Sequence, residues 1–544
     1  MTTPGAAAPL LEIDALSVSI GAARILKNLS LELRAGEILG LVGASGSGKS
    51  MTALAIMQLL PAGAAVTGEV RLRGEPLTGK SEAELRSIRG QDVGIVFQEP
   101  MTALNPLMSI GDQVAETVRL HRTVSRAESK RVARETLDLV GLHGEQGALD
   151  RLPYELSGGQ RQRVAVAMAV VLAPPLLIAD EPTTALDVIT QAQVLQLLKQ
   201  LVRTRNMGLI LVSHDLAVVA QVTHRIALMH QGEIVEQGAT QPLLHHLQHP
   251  YGRALVAAAE LKPQRRLRRH DSSPPVLQAR NIVQEYSRRR RSLWHRESSL
   301  RAVDQVSLVV HSGETVGLVG ESGSGKSSLL RVILALERPR TGDVVLLGDV
   351  FSAARGASMR RLRRSIQGVF QDPYGSFDPQ WSVERLVAEP FFLLDTVPSA
   401  AERRRKVAAS LEQVGLSAAD AQRRPHEFSG GQRQRIAIAR ALITEPAVIA
   451  FDEAVSALDV LVRAQILGLL AELAERLKLA YLFISHDLNV VRAISDTIYV
   501  MYRGRIVEHG TAQAMFDAPR HAYTRSLIAA SPQLNPPHPA PAAS

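Results

Sequence analysis

The segment Gly43-Ala44-Ser45-Gly46-Ser47-Gly48-Lys49-Ser50 has the G-x-x-x-x-G-K-[ST] spacing of a phosphate loop and follows the apolar run Ile38-Leu39-Gly40-Leu41-Val42. Gly43, Gly46 and Gly48, with Ser45 between them, let consecutive amides turn inward on phosphate oxygens. Lys49 brings a point charge to the β- and γ-phosphates, and the Ser50 hydroxyl can ligate Mg²⁺. A second set suits the attack on that phosphate. Leu176-Leu177-Ile178-Ala179-Asp180-Glu181 reads as an apolar strand ending in two carboxylates. Adjacent acids need different work: Asp180 suits the Mg²⁺ shell, and Glu181 suits polarising a water for attack on the γ-phosphate. Gln98, which ends Val93-Gly94-Ile95-Val96-Phe97, can ligate the metal or hold that water. His214, which closes Leu209-Ile210-Leu211-Val212-Ser213, can bond the γ-phosphate. Ser157-Gly158-Gly159-Gln160 opens a helix, where a hydroxyl and exposed amides make either an anion site or a plain helix cap.

All of this occurs twice. Gly320, Ser322, Gly323, Gly325, Lys326 and Ser327 form a second phosphate loop, followed by Gln371, Ser429-Gly430-Gly431-Gln432, Asp452-Glu453 and His486. Lys49 and Lys326 are 277 residues apart and Gln98 and Gln371 273; the serine, aspartate and histidine pairs are each 272 apart. Solenoid repeats have periods of about 20–50 residues, so this spacing means two copies of a whole domain. The second copy can ligate Mg²⁺ through Ser327, Gln371 and Asp452, with Glu453 and His486 in the catalytic roles.

The elements that must position these groups follow from residue pattern. Leu11-Glu12-Ile13, Val18-Ser19-Ile20 and Leu29 to Leu33 alternate as short strands, Met51 to Leu60 reads as the helix after the loop, and Thr67 to Leu72 reads as another strand. Between Ile110 and Leu142 the apolar spacing turns helical. The longest apolar run, Val164 to Ala179, is broken by Pro174-Pro175 and is shorter than the ~20 residues of a membrane helix, so it reads as helix, turn and buried strand. Residues 261–275 carry Lys-Pro, arginine runs and Pro-Pro, a linker composition, which places one domain at 1–260 and another at 276–530. The proline-rich residues 531–544 are expected to be disordered.

With 544 residues, 46% of them hydrophobic, the chain can build two separate cores. The absence of cysteine excludes disulfides and thiolate metal sites and suits a reducing compartment. Met1 to Leu11 lacks the basic start and apolar core of a signal peptide. The formal charge is +9, carried in clusters at Arg265 to Arg269, Arg288 to Arg291, Arg360 to Arg364 and Arg403 to Arg405 without a repeated aromatic for base stacking. Solvated faces and linkers explain them better than a membrane surface, and a membrane surface better than nucleic acid.

The ordered set of phosphate loop, Gln98, Leu156 to Gln160, Asp180-Glu181, Ala185-Leu186-Asp187 and His214 resembles the ABC ATPase nucleotide-binding domain, and the resemblance covers nearly the whole of each half. It implies an α/β fold: two tandem P-loop domains, each with a RecA-like core, an antiparallel β subdomain and a helical subdomain. It further implies ATP and Mg²⁺ as ligands and head-to-tail pairing of the two halves, with Lys49 facing Ser429 across one ATP and Lys326 facing Ser157 across the other. The family's base-stacking aromatic falls near Ile20 in the first half and at Tyr286 in the second, where the loop Ser287 to Leu300 is unusually basic.

Finer features narrow the branch. Gln98 to Pro106, Gln371 to Pro379, His249-Pro250-Tyr251-Gly252-Arg253-Ala254-Leu255 and His521-Ala522-Tyr523-Thr524-Arg525-Ser526-Leu527 resemble ATPases for uptake of oligopeptides, dipeptides, glutathione and nickel. That resemblance implies two integral membrane permease subunits, an indirect periplasmic solute-binding protein, no specific nucleic acid, and a peripheral place on the cytoplasmic face of the inner membrane. Some such ATPases carry a cysteine-ligated iron–sulfur cluster, which this chain cannot. The alternative is a soluble ABC ATPase acting mechanically on ribosomes or nucleic acid. Thr184-Ala185-Leu186-Asp187 and Ser456-Ala457-Leu458-Asp459 stand against it, because translation-type members have Asn-His-Leu-Asp there.

Overall fold

Strand β1 (Leu11–Ile20) buries Leu11 and Ile13, changes phase at Ala15, and then buries Leu16 and Val18. Ala15 has a φ of 48° and lies where the pairing register shifts, so a bulge joins two short apolar alternations into one strand. Its neighbours are β2 (Ala23–Leu33) and β4 (Ala64–Leu72), and the two-residue β5 (Glu75–Pro76) completes an antiparallel sheet in the order β2-β1-β4-β5. The computed structural model describes residues 8–98, 103–143, 148–184, 186–260, 274–287, 299–372 and 375–534.

The second sheet of this half has six strands in the order β10-β9-β3-β8-β7-β6. Here β3 (Ile38–Val42) is parallel to both β8 (Gly208–Ser213) and β9 (Arg225–His230), while β7 (Leu176–Asp180) lies between β8 and β6 (Val93–Val96). The antiparallel β10 (Glu233–Ala239) forms one edge. Every residue of β3, β7 and β8 is buried, which is why these strands are continuous aliphatic runs rather than alternating ones. The carboxyl ends of β3, β6, β7 and β8 deliver the phosphate loop, Gln98, Asp180-Glu181 and His214 to one edge of the sheet, beside the strand order's switch point.

The helical insertion consists of Ile110–His121 and Arg126–Leu139, started by Ser109 and Ser125, whose hydroxyls accept from Asp112 and Glu128 amides. Val114, Ala115, Val118, Ala133 and Leu137 from these helices join one core with Val164, Val166 and Val170 of the helix Gly158–Val170. Each such buried Val or Leu is worth about 1.5–3 kcal/mol. The second half repeats the design: β11 (Pro275–Ser287), β12 (Ser299–His311), β14 (Thr341–Leu346) and β15 (Asp349–Val350) form a sheet ordered β12-β11-β14-β15, and β13 (Thr315–Val319), β16 (Ile366–Val369), β17 (Val448–Asp452), β18 (Ala480–Ser485), β19 (Thr497–Tyr502) and β20 (Arg505–Thr511) form one ordered β16-β17-β18-β13-β19-β20.

Several boundaries differ from expectation. The helix after the first loop runs Lys49–Ile56, starting at the lysine itself. Phe97 lies beyond β6 and is 43% exposed rather than part of a buried strand, and its counterpart Phe370 is 38% exposed. Arg360, Arg361, Arg363, Arg364 and Arg403 to Arg405 lie on solvent-facing sides of the helices Gly356–Ser365 and Ala400–Gln413, while Leu362 between the first four is buried. Residues 261–273, 288–298 and 535–544, where the linker, the basic loop and most of the tail were expected, lie outside the described residues, as do 1–7 and Ala185. The start of the tail is held: Asn489 donates to the Pro532 carbonyl at 2.9 Å, and Leu534 packs on the core of the first half.

The halves meet reciprocally. The helix Pro250–Ala259 packs on Val460–Leu477 of the second half, and Ala522–Ala530 packs on Val188–Arg205 of the first. Leu461 reaches the first half's core, and its counterpart Ile189 reaches the second's.

Candidate functional site

The loop after β3 turns tightly because its glycines leave no room for side chains. A Cβ on Gly43 would stand 2.3 Å from the Met229 carbonyl oxygen, and Gly48 takes a φ of 103° as it starts the helix. Ser45 and Gly46 lie exposed at the tip, with Ser322 and Gly323 likewise in the second loop. The Lys49 ammonium is folded back under the loop, donating to the carbonyls of Gly43 at 2.8 Å and Ala44 at 2.9 Å; Lys326 does the same to Gly320 at 2.7 Å and Glu321 at 2.8 Å. Both lysines are 5% exposed, and burial lowers their pKa. For Lys49 the opposing pull comes from Glu181, Asp180 and, across the interface, Asp459. For Lys326 it comes from Glu453, Asp452 and, across the interface, Asp187, with a smaller pull from Glu321.

Asp180 and Glu181 are neighbours with opposite tendencies. Burial pushes the Asp180 carboxyl up, against a hydrogen bond from Ser50, and burial followed by the Glu453 charge pushes Asp452 up to about 6. Burial also works against ionised Glu181 and Glu453, but it is outweighed, for Glu181 by His214 together with the Thr184 hydrogen bond and the Lys49 charge, and for Glu453 by His486 together with the Lys326 charge, so both lie below the usual glutamate value. His214 Nδ1 is 3.0 Å from Glu181 Oε1, and His486 Nδ1 is 3.1 Å from Glu453 Oε1. Gln98 Nε2 and Thr184 Oγ1 each donate to Glu181 Oε2 at 2.9 Å. The second half differs in one contact: Ser456 donates to the Glu453 carbonyl at 2.8 Å rather than to its carboxylate, while Gln371, like Gln98, is exposed. Glu181 and Glu453 have φ of 47° and 48°, a left-handed conformation whose cost is of order 1–3 kcal/mol.

Four buried oxygens in this region have no hydrogen-bond partner among the described residues: Asp180 Oδ1, Asp452 Oδ1, Ser47 Oγ and Ser324 Oγ. Buried polar atoms left without partners are rare, and these lie beside the two loops, where a cation and an anion would complete them. The Ser-Gly-Gly-Gln segments serve as helix starts. Ser157 Oγ accepts from the Gln160 amide at 3.2 Å while Gln160 Oε1 accepts from the Ser157 amide at 3.0 Å; Ser429 and Gln432 repeat this at 3.4 and 3.0 Å. Gly159 is needed for packing, since a Cβ there would stand 2.2 Å from Thr190 Cγ2; Gly431 likewise lies against Val462, while a Cβ on Gly158 or Gly430 would meet only an ordinary contact with Leu186 or Leu458. Tyr286 is half-buried, its hydroxyl donating to Glu337 at 2.6 Å, and Ile20 at the matching strand end is also half-buried.

Sequence reasoning missed Thr184, whose hydroxyl helps hold Glu181, and missed that Tyr251 and Tyr523 reach the loops. The Ala44 amide donates to Tyr251 Oη at 2.7 Å and the Glu321 amide to Tyr523 Oη at 2.8 Å. A signal existed, because these tyrosines share the 272-residue offset of the serine, aspartate and histidine pairs.

Duplicated α/β cores, each joining a phosphate loop to a paired acid and a histidine, define an ABC ATPase. The chain belongs to the ABC transporter family, whose model matches residues 26–184 and 303–456. A model described as the C-terminal region of oligopeptide/dipeptide transporters matches 235–291 and 507–543. The chain is 45% identical over 542 residues to the glutathione import ATP-binding protein GsiA of Escherichia coli O6:H1, covering 94% of this chain and 87% of that protein. The protein of the same name from Salmonella typhimurium is 45% identical over 548 residues, with the same coverage. In the solved complex of archaeal ribosomal stalk protein aP1 with archaeal ribosome recycling factor aABCE1, the matching chain is similar in fold alone. Its TM-score is 0.59 at 19% identity, covering 91% of this chain and 90% of that one. The chain is an ATP hydrolase coupled to transport.

Proposed function

We propose that this chain supplies both ATPase domains of an importer for peptides or glutathione-like solutes, and that head-to-tail closure of residues 1–260 on 276–530 drives two permease subunits. The observation that carries this reading is reciprocity within one chain: the helix that Asp459 caps packs on Pro250–Ala259 of the first half and the helix that Asp187 caps packs on Ala522–Ala530 of the second, with the charge of each acid acting on the lysine of the opposite half, Lys49 or Lys326. One ATP is read as lying between Lys49 and Ser429, the other between Lys326 and Ser157. The unpartnered Asp180 Oδ1 and Asp452 Oδ1 support a Mg²⁺ at each, held with Ser50 and Gln98 or with Ser327 and Gln371. Bound there, Mg²⁺ would neutralise charge on the β- and γ-oxygens. Glu181 or Glu453 takes a proton from the attacking water, the water oxygen bonds the γ-phosphorus, and the bond to ADP breaks. His214 or His486 keeps its glutamate ionised and reaches the same phosphate.

The permeases are read as docking beside Glu99 to Pro106 and Asp372 to Pro379, of which 99–102 and 373–374 lie outside the described residues. The exposed Phe97, Leu107 and Phe370 beside these segments support an apolar contact there. Among the described residues no helix is long and apolar enough to cross a membrane, so on this reading the chain sits peripherally on the cytoplasmic face and the spans belong to partners. The C-terminal region in both halves favours uptake over the ribosomal alternative. Detergent extracts should yield the chain with two integral membrane subunits, with an ATPase rate that rises when loaded binding protein is added, and a deletion strain should lose uptake of short peptides or glutathione. Normal uptake of all such solutes, with the chain sedimenting on ribosomes, would overturn the reading.

A further inference from the structure

The segments around Tyr251 and Tyr523 take no part in the chemistry above, yet both reach the phosphate loops through the Ala44 and Glu321 amides. Each tyrosine is 9% exposed, and its ring lies on an aromatic at the end of the strand beside the loop: Tyr251 on His230 with centroids 4.1 Å apart, Tyr523 on Tyr502 at 4.2 Å. The segments are themselves anchored. His249 and His521 each accept the tyrosine amide at Nδ1, at 3.2 Å. Glu236 accepts from the Gln248 amide at 2.7 Å, and Glu508 accepts from the Arg520 and His521 amides at 2.7 and 2.9 Å.

The far sides of the two helices face the other half. Pro250–Ala259 packs on Val460–Leu477, and the residue that caps the latter is Asp459, the acid that pulls on Lys49. Ala522–Ala530 packs on Val188–Arg205, capped by Asp187, which pulls on Lys326. Burial raises the Tyr251 pKa against the Ala44 hydrogen bond, with Asp459 adding to the rise, so loop, tyrosine and opposing acid share one electrostatic neighbourhood. A loop amide committed to a tyrosine is withdrawn from any phosphate, so its contribution is geometric.

We infer that Tyr251 and Tyr523 are positioning residues of the two ATP sites. Each hydroxyl ties its phosphate loop to a helix seated on the other half, and so keeps the loop in register with the acid that the other half presents. The inference rests on the ATP-site reading. Tyr→Phe keeps the ring and its stacking and removes one hydrogen bond, whose typical net worth corresponds to about a two- to tenfold change in affinity.

In the full chain, photolabelling with an azido-ATP, read separately for each half, should show Tyr251→Phe weakening nucleotide at the Lys49 site by that factor. The Lys326 site should be unchanged, and KM should move more than kcat. Tyr523→Phe should give the mirror result. Leu461→Ala loosens the opposing helix, and combined with Tyr251→Phe it should cost less than the product of the two separate effects. Unchanged affinity in Tyr251→Phe, equal loss at both sites, strict multiplicativity with Leu461→Ala, or a lowered melting temperature without an affinity change would overturn the inference. Failure of the unmodified chain to label would instead defeat the ATP-site reading.

Discussion

Replacing Glu181 by glutamine alters one atom in a pocket that is already filled. Oε1 lies 3.0 Å from His214 Nδ1, and Oε2 accepts from Gln98 and Thr184, each at 2.9 Å. A glutamine keeps its oxygen where Gln98 and Thr184 donate and turns its amide toward His214, so the nucleotide pocket stays intact. Backbone strain is also unchanged, since a φ of 47° suits glutamine no worse than glutamate. What disappears is the basic oxygen that His214 holds ionised despite burial. Loss of a positioned base costs about 10²–10⁴ in rate, or about 2.7–5.4 kcal/mol of barrier. Glu453→Gln should do the same in the second half, where His486 is the glutamate's partner. Phosphate release and equilibrium ATP binding, measured on the same preparations, check this. Each single variant should lose turnover at its own site with affinity intact, and the double variant should hold ATP with the halves closed. Wild-type turnover by the double variant would refute the assignment, and a proportional loss of ATP binding would make Glu181 a structural residue.

Three further outcomes are expected. Ser429→Arg should impair the site containing Lys49, and Ser157→Arg the site containing Lys326; photocrosslinking that shows loss only in the mutated half would defeat head-to-tail pairing. On the reading that Tyr286 stacks on the base where Ile20 only packs, the second half should bind ATP more tightly by up to about tenfold; equal affinities, or an Ile20→Tyr variant without gain, would count against it. Gly159→Ala drives a methyl into Thr190 Cγ2 and should cost about 1–3 kcal/mol of stability. Thr190→Ser removes that methyl yet keeps the hydroxyl that bonds Asp187, so it should restore the denaturation midpoint.

The parts of the site that the sequence revealed are those whose chemistry depends on residue type at fixed spacing. A lysine after a glycine turn, or two acids ending an aliphatic strand, has few other uses, and the 272-residue repeat doubles the signal. Contacts between distant segments were hidden. Nothing in Pro250-Tyr251-Gly252 states that its hydroxyl lies 2.7 Å from the Ala44 amide, because that distance depends on how the C-terminal helix seats on both halves. Strand ends were blurred for a related reason. Phe97 is as apolar as the strand before it, and only tertiary packing leaves it in solvent. The bulge at Ala15 likewise made one strand look like two.

The left-handed backbone at Glu181 and Glu453 has a consequence for how such a chain can change over generations. Glycine or asparagine would sit at those positions more comfortably, by on the order of 1 kcal/mol. On the proposed reading, in which these carboxylates activate the attacking water, neither replacement could do so, and the residue that best fits the backbone is not the one that serves hydrolysis. Selection for turnover must therefore act continuously at both positions against a drift toward greater heat resistance. In a descendant that came to rely on one site alone, the idle site would be expected to lose its glutamate early, and the protein would melt higher as it did so.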